Sequence, residues 1–149
     1  MKGIRVLPPA YLVLAIAMML ALHFLLPGVR IIVFPWNFFG AIPLVLGIVI
    51  NLLADRAFKK ANTTVKPFEE STTLITNGVF RISRHPMYFG FVLILLGIAL
   101  LIASMTPYIV VVLFAVFMDR VFIVVEERIL EEKFGNTWLQ YKSTVRRWI

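Results

Sequence analysis

The sequence predicts an all-α membrane protein with four transmembrane helices, of which the last two form a helical hairpin. Three observations support this fold class: the composition, the lengths of the uncharged runs and the positions of the basic residues. Of the 149 residues, 60% are hydrophobic and 15% are charged, with a mean hydropathy of +0.91. A soluble domain is nearer half apolar and a quarter charged. The bilayer is therefore the expected solvent for most of the chain.

Charge and residue usage exclude several classes of function. The net charge of +7 is explained by membrane topology, so a nucleic-acid partner is not expected. The absence of Cys excludes disulfides, thiolate metal sites and a Cys nucleophile. The two histidines, His23 and His85, fall at opposite ends of predicted spans, so a histidine metal site is not expected. The lipid bilayer remains as the expected partner.

Two uncharged runs predict the first two transmembrane helices. Arg5 and Arg30 are separated by 24 residues without a charge, and another 24 separate Arg30 from Asp55. One span needs about 20 apolar residues. We therefore expect one helix in each run, near residues 10–26 and 38–54.

A longer apolar run predicts the helical hairpin. Residues 86–125 form 40 positions interrupted by a single charged pair, which is enough for two crossings. The run breaks at a polar turn in which Thr106 can cap a helix and Pro107 can occupy its first position. We therefore expect two antiparallel helices, near residues 87–104 and 107–125.

The basic residues predict the orientation. The loop between the second and third helices is rich in them: Arg56, Lys59, Lys60, Lys66, Arg81 and Arg84. The first loop has one basic residue and the hairpin turn has none. The positive-inside rule thus places both termini, the loop 55–85 and the tail 126–149 in the cytoplasm of one domain, residues 1–149. The first helix is expected to be retained, because no signal-peptidase site follows Leu26.

The start of the third helix is one candidate site. Pro86 favours an extended backbone at His85 and begins the helix. Arg84, His85 and the free N–H groups of the helix start then converge, which suits a carboxylate or a phosphate. In the alternative interpretation, Arg81 and Arg84 only anchor the helix to lipid headgroups.

The fourth helix carries a second polar segment. Regular helical spacing places Asp119 and Glu126 on one stripe, with Arg120 and Glu127 on the neighbouring stripe. A charge within a span costs at least about 2.5–3.5 kcal/mol, so these side chains are expected to face protein or a wet cavity. The alternative is an internal ion-pair cluster with a structural role alone.

Five motifs follow one another along the chain: Ser83-Arg-His-Pro-Met-Tyr-Phe-Gly90, Glu126-Glu127, Phe134-Gly135, Tyr141 and Val145-Arg146-Arg147-Trp148. Taken together, they resemble the isoprenylcysteine carboxyl methyltransferase and phospholipid methyltransferase group of integral membrane enzymes. The resemblance covers about residues 40–149, including a loop around Thr63–Pro67 that is similar to small bacterial members.

The resemblance implies S-adenosylmethionine as the cofactor, bound at the cytoplasmic ends of the helices. It implies seven cofactor-binding residues: Arg84, His85, Tyr88, Gly90, Glu126, Glu127 and Tyr141. The cofactor's carboxylate is expected at the arginine and histidine. Its ammonium and ribose hydroxyls are expected at a glutamate, and its adenine on one of the tyrosines.

The implied reaction is methyl transfer to a lipid or hydrophobic small molecule that enters from the bilayer. Catalysis would depend mainly on alignment of the two reactants and exclusion of water. A carboxylate or thiolate acceptor would be positioned by Arg120 or Arg146, and an amine acceptor would need Glu127 or its neighbour as a base. The expected catalytic residues are therefore Glu127, Arg120 and Arg146, with no metal.

One departure keeps a second enzyme class open. The methyltransferases usually have Tyr three residues before Tyr141, where this chain has Trp138. The stretch Lys133–Tyr141 is also similar to the membrane sterol reductases, which share the fold and use NADPH. The Glu126-Glu127 pair favours the methyltransferase. The alternatives are an NADPH-dependent reductase and a non-catalytic membrane scaffold.

Overall fold

The regular structure of the chain is helical in the part that the computed structural model describes, residues 7–26, 28–61 and 73–149. Its α-helices are α1 (Pro8–Leu25), α2 (Ala41–Lys60), α3 (Pro86–Ile102), α4 (Pro107–Phe117), α5 (Val124–Phe134) and α6 (Asn136–Thr144). Single 3₁₀ turns precede α2 and α3, at Trp36–Gly40 and Gly78–Arg81. The loop motif expected around Thr63–Pro67 lies outside the described residues.

Three helical stretches are long and apolar enough to cross a membrane: Pro8–Leu25, Trp36–Lys60 and Pro107–Phe134. The apolar helix α3 is shorter, at 17 residues, which is about the lower limit for one span. The architecture is therefore that of an all-α integral membrane protein.

At the hairpin turn, α3 ends and α4 begins through two different backbone features. Ala103 adopts a left-handed conformation with φ of 62°, and Pro107 occupies the first turn of α4. The prediction that Thr106 caps α4 is wrong, because its side chain makes no capping hydrogen bond. Its backbone is already helical, with φ of −61° and ψ of −37°, whereas a capping residue needs an extended backbone.

Helices α2 and α3 approach closely through glycines. A Cβ atom on Gly47 would lie 2.5 Å from the carbonyl oxygen of Gly90, so only glycine fits at this crossing. At its far end, α2 carries Phe58, whose ring meets that of Phe80 edge-on at 5.5 Å. The close crossing thus brings the end of α2 against the turn that precedes α3.

The long helix of the hairpin contains one π-helical stretch, Met118–Ile123, between α4 and α5. Its signature is the backbone bond from the Val124 N–H to the Asp119 carbonyl, which spans five residues rather than four. A π turn holds one residue more than an α turn and so rotates everything that follows it. Asp119 and Arg120 lie within this stretch.

Candidate functional site

The two polar segments meet around the carboxylate of Glu127, a residue that is only 5% exposed. Arg84 Nη2 and His85 Nε2 each lie 3.3 Å from its Oε1 atom. Arg147 approaches with both donors of one guanidinium edge, Nη2 at 2.6 Å from Oε2 and Nε at 3.2 Å from Oε1. Arg147 also reaches Asp119, so we call Arg84, His85, Asp119, Glu127 and Arg147 the polar cluster.

The segment after α6 holds the start of α3 in place. The Arg84 N–H donates to the carbonyl of Arg146 at 3.0 Å, and the Ser83 hydroxyl donates to the carbonyl of Arg147 at 3.1 Å. The same hydroxyl accepts a bond from the His85 N–H at 3.1 Å. Contacts between two chain segments more than 60 residues apart therefore fix the backbone that carries Arg84 and His85, directly before α3.

His85 lies between the two glutamates of α5. Its Nε2 faces Glu127, while its Nδ1 lies 3.8 Å from Glu126 Oε2. The Tyr88 hydroxyl donates to that same Glu126 oxygen at 3.1 Å. The Arg-His-Pro-Met-Tyr segment and the Glu-Glu pair thus form one contiguous polar surface, as the resemblance implies.

Glu127 is ionised over the whole physiological range. Burial alone would raise the pKa of its carboxyl, but hydrogen bonds from His85 and Arg147 and the charges of His85 and Arg84 outweigh burial and hold the pKa at about 2. The residue lies two positions beyond Val125, where the continuous apolar run ends, and so outside the expected span. Its carboxylate therefore acts as a fixed negative charge.

The buried side chain of Arg84 has donor nitrogens that are not hydrogen-bonded to any described residue. Its side chain is 9% exposed, and its Nε and Nη1 atoms have no hydrogen-bond partner among the described residues. The guanidinium lies 5.7 Å from the ring centroid of Trp138, close enough for a cation–π interaction. Buried donors are almost always satisfied in folded proteins, so two unpartnered donor nitrogens point to an anionic ligand.

A largely apolar cavity of about 210 Å³ opens beside the cluster. The start of α1, the end of α2 and the start of α3 form its walls. Its polar end consists of Arg84, His85, Tyr88 and Glu126. Its apolar part is formed by Leu7, Pro8, Pro9, Phe58, Phe80, Pro86, Met87 and Phe91.

Two predicted cofactor residues have other neighbours. The Tyr141 hydroxyl donates to the Phe80 carbonyl at 2.6 Å, and burial raises its pKa to about 12 against the opposing charge of Arg84. Gly90 faces α2, where an added Cβ would overlap the side chain of Asn51. Tyr141 therefore links α6 to the turn before α3, and Gly90 permits the close packing of α3 on α2.

The two arginines expected to position the acceptor, Arg120 and Arg146, are both exposed. The Arg120 side chain is 78% exposed and lies 3.7 Å from Asp119. Arg146 is exposed, whereas its neighbour Arg147 enters the polar cluster. Sequence reasoning missed Arg147, because an adjacent pair of arginines after a helix does not reveal which one turns inward.

The pairing of Asp119 also differs from the helical-spacing prediction. Arg147 Nη1 lies 3.2 Å from Asp119 Oδ1, so one guanidinium joins Asp119 to Glu127 rather than to Glu126. In a regular α-helix, residues eight apart point about 80° apart. The extra residue of the π turn reduces this to about 20°, which places both carboxylates on one face.

Comparison with known proteins identifies the family of this chain. Residues 36–137 match the phospholipid methyltransferase family model. Protein-S-isoprenylcysteine O-methyltransferase A of Arabidopsis thaliana is 34% identical, over 88% of this chain and 70% of its own length. Protein-S-isoprenylcysteine O-methyltransferase of Saccharomyces cerevisiae is 31% identical, over 82% of this chain and 54% of its own.

The fold is shared with a solved structure. The eukaryotic intramembrane Ras methyltransferase ICMT (isoprenylcysteine carboxyl methyltransferase) superposes with a TM-score of 0.69 at 23% identity. The match covers 95% of this chain but 52% of that one, so this chain spans only about half of the larger protein. With the family model matching most of its length, the chain belongs to the phospholipid methyltransferase family, together with the isoprenylcysteine O-methyltransferases that it resembles.

Proposed function

We propose that the protein transfers a methyl group from S-adenosylmethionine to a lipid or hydrophobic acceptor at the cytoplasmic membrane face. The observation that carries this proposal is the convergence of Arg84, His85 and the two glutamates beside an apolar cavity. The names of the curated relatives, protein-S-isoprenylcysteine O-methyltransferases, support a lipidated acceptor that is methylated on oxygen.

The groups present fit the proposed cofactor. When bound, S-adenosylmethionine supplies an activated methyl group on a sulfonium. Arg84 offers two unpartnered buried donors for a carboxylate, and the half-buried Glu126 offers acceptors for an ammonium or hydroxyls. Tyr88, Gly90 and Tyr141 complete the proposed set, although Gly90 and Tyr141 are placed to act through packing.

The chain's own contribution is alignment and charge. Glu127, with a pKa of about 2, is a poor base at neutral pH, so it serves as a fixed partner for cations rather than as a proton acceptor. This favours an acceptor that arrives as an anion, a carboxylate or a thiolate, over an amine. We assign its positioning to Arg120 and Arg146, because both are exposed while Arg147 is engaged by two carboxylates.

We further propose that α3 is a fourth span and that both chain ends face the cytoplasm. In this topology the 3₁₀ turn before α3, the helix α6 and the polar cluster lie on the side rich in basic residues. The apolar cavity, which is lined by the start of α1 and the end of α2, then lies at the bilayer surface.

Calorimetric titration of the purified protein with S-adenosylhomocysteine tests the cofactor. We expect saturable binding that Glu127→Gln weakens strongly and Glu132→Gln, an exposed change on the same helix, leaves intact. Absence of binding at high micromolar ligand contradicts the proposal. Stabilisation by NADPH instead of S-adenosylmethionine in a detergent melting experiment supports the reductase.

The acceptor requires a separate measurement. Transfer of a radiolabelled methyl group to a total lipid extract, followed by identification of the product, is expected to label a carboxylate or a thiol. A labelled amine would overturn the preference for an anionic acceptor.

A further inference from the structure

We propose that Asp119, inside the apolar part of the long helix, is a positioning residue for the cofactor site and acts through Arg147. This inference rests on the proposed function, because the property that it predicts is affinity for the cofactor. The observation that carries it is a continuous chain of contacts from Asp119 to Arg147, from Arg147 to Glu127, and from Glu127 to the residues of the cavity.

The position of Asp119 within the apolar run requires an explanation. It lies six residues before Val125, which places it about 9 Å along the helix from the end of the apolar run. An ionised carboxylate at such a depth is costly unless it is paired. Its side chain is 18% exposed, and it receives Arg147 Nη1 at 3.2 Å and the Trp148 indole N–H at 3.3 Å.

Asp119 determines which edge of Arg147 meets Glu127. With Nη1 held by the two Asp119 oxygens at 3.2 and 3.4 Å, the Nε and Nη2 edge is left to grip both oxygens of Glu127. Two-pronged contacts between guanidinium and carboxylate are directional as well as strong. Anchoring the third nitrogen therefore fixes the orientation of the Glu127 carboxylate.

The orientation of Glu127 matters because its Oε1 also contacts Arg84 and His85. Those two residues line the cavity, and Arg84 carries the unpartnered donors. A guanidinium released from Asp119 would be free to rotate and to draw the Glu127 carboxylate with it. The donors at the cavity would then lose their fixed direction.

The π-helical stretch is what makes the contact available. The bond from the Val124 N–H to the Asp119 carbonyl shows that the extra residue lies between the two carboxylates. If the same sequence formed a regular α-helix, Asp119 and Glu127 would point about 80° apart instead of facing the same guanidinium.

A double-mutant cycle tests the proposal, with the dissociation constant of S-adenosylhomocysteine as the readout and Asp119→Asn and Arg147→Gln as the single changes. We expect Asp119→Asn to raise this constant about tenfold in the wild-type background and to change it little in the Arg147→Gln background. Asp119→Glu, which keeps the charge, is expected to retain more affinity than Asp119→Asn. Asp55→Asn is the matched control. Asp55 lies on α2, and its carboxylate pairs with the exposed Lys59 of the same helix.

The possible failures are distinguishable. If Asp119→Asn has equal effects in both backgrounds, or no effect in either, the positioning role is overturned. The proposed function still stands in that case, provided that the wild-type protein binds the ligand. Absence of binding by the wild-type protein overturns both. If the Asp119→Asn variant does not fold, Trp148→Phe is used instead. This change removes the indole N–H that donates to the same carboxylate. The same non-additivity with Arg147→Gln is expected, and additivity overturns the proposal.

Discussion

Arg147 and Glu127 form a two-pronged ion pair, with Nη2 and Oε2 only 2.6 Å apart. The pair connects the segment after α6 to α5, twenty residues away in sequence. Through Glu127 it also touches the start of α3, so three separate segments depend on one carboxylate.

Arg147→Lys is expected to lower methyl transfer about 10- to 100-fold, because a lysine replaces a planar fork with a single point charge and loses charge-assisted hydrogen bonds. The measurement is the initial rate of methyl transfer to the acceptor identified from the lipid extract. Arg128→Lys is the control, since Arg128 is exposed on α5. Equal rates for the two variants would contradict the importance of the fork.

The stability contributed by Glu127 is expected to disappear in acid. Its pKa is lowered from 4.5 to about 2 in the folded protein, so the contribution is complete above pH 4.5 and is lost as the pH falls towards 2. Melting of the wild type and of Glu127→Gln in detergent, at several pH values, measures this difference. We expect the gap in melting temperature to be wide at pH 7 and to narrow below pH 4.5. A gap that is independent of pH would show that the carboxylate is not ionised in the fold.

Tyr141→Phe separates a structural role from a cofactor role. Loss of the hydroxyl leaves the buried Phe80 carbonyl without its 2.6 Å donor, which is expected to cost about 1–3 kcal/mol of unfolding free energy. The aromatic ring remains, so the affinity for S-adenosylhomocysteine is expected to change little if the ring packs on adenine. A large loss of affinity at unchanged stability would assign the hydroxyl itself to the ligand.

The absence of Cys permits a clean test of topology by single-cysteine labelling. Met105→Cys, in the hairpin turn, and Ser143→Cys, on α6, lie at opposite ends of the long helix and are exposed. We expect a membrane-impermeant maleimide to label Ser143→Cys from the cytoplasmic side and Met105→Cys from the other. Arg30→Cys should behave like Met105→Cys, because the Met105 N–H bonds to the neighbouring Val29 carbonyl. Labelling of all three from one side would refute the four-span topology.

Local patterns in the sequence predicted the helices and the two polar segments that form the candidate site. Runs of apolar residues and prolines at helix starts act through the chain's own neighbourhood, so Pro86 and Pro107 mark helix starts without tertiary information. The Arg84-His85 pair was identified because Pro86 begins a helix directly after it, and the Glu126-Glu127 pair because helical spacing aligns it with Asp119 and Arg120.

Only the tertiary structure decided how these residues pair. The choice of Arg147 over Arg146 depends on how the segment after α6 crosses α3, and the choice of Glu127 over Glu126 as the partner of Asp119 depends on one π turn. Tyr141 bonds to a carbonyl 61 residues away. Such contacts join parts of the chain that share no local pattern, and a single inserted residue rotates a helix face without altering its composition. The sequence by itself determined which polar groups lie next to the apolar helices, and packing between distant segments determined which of them touch.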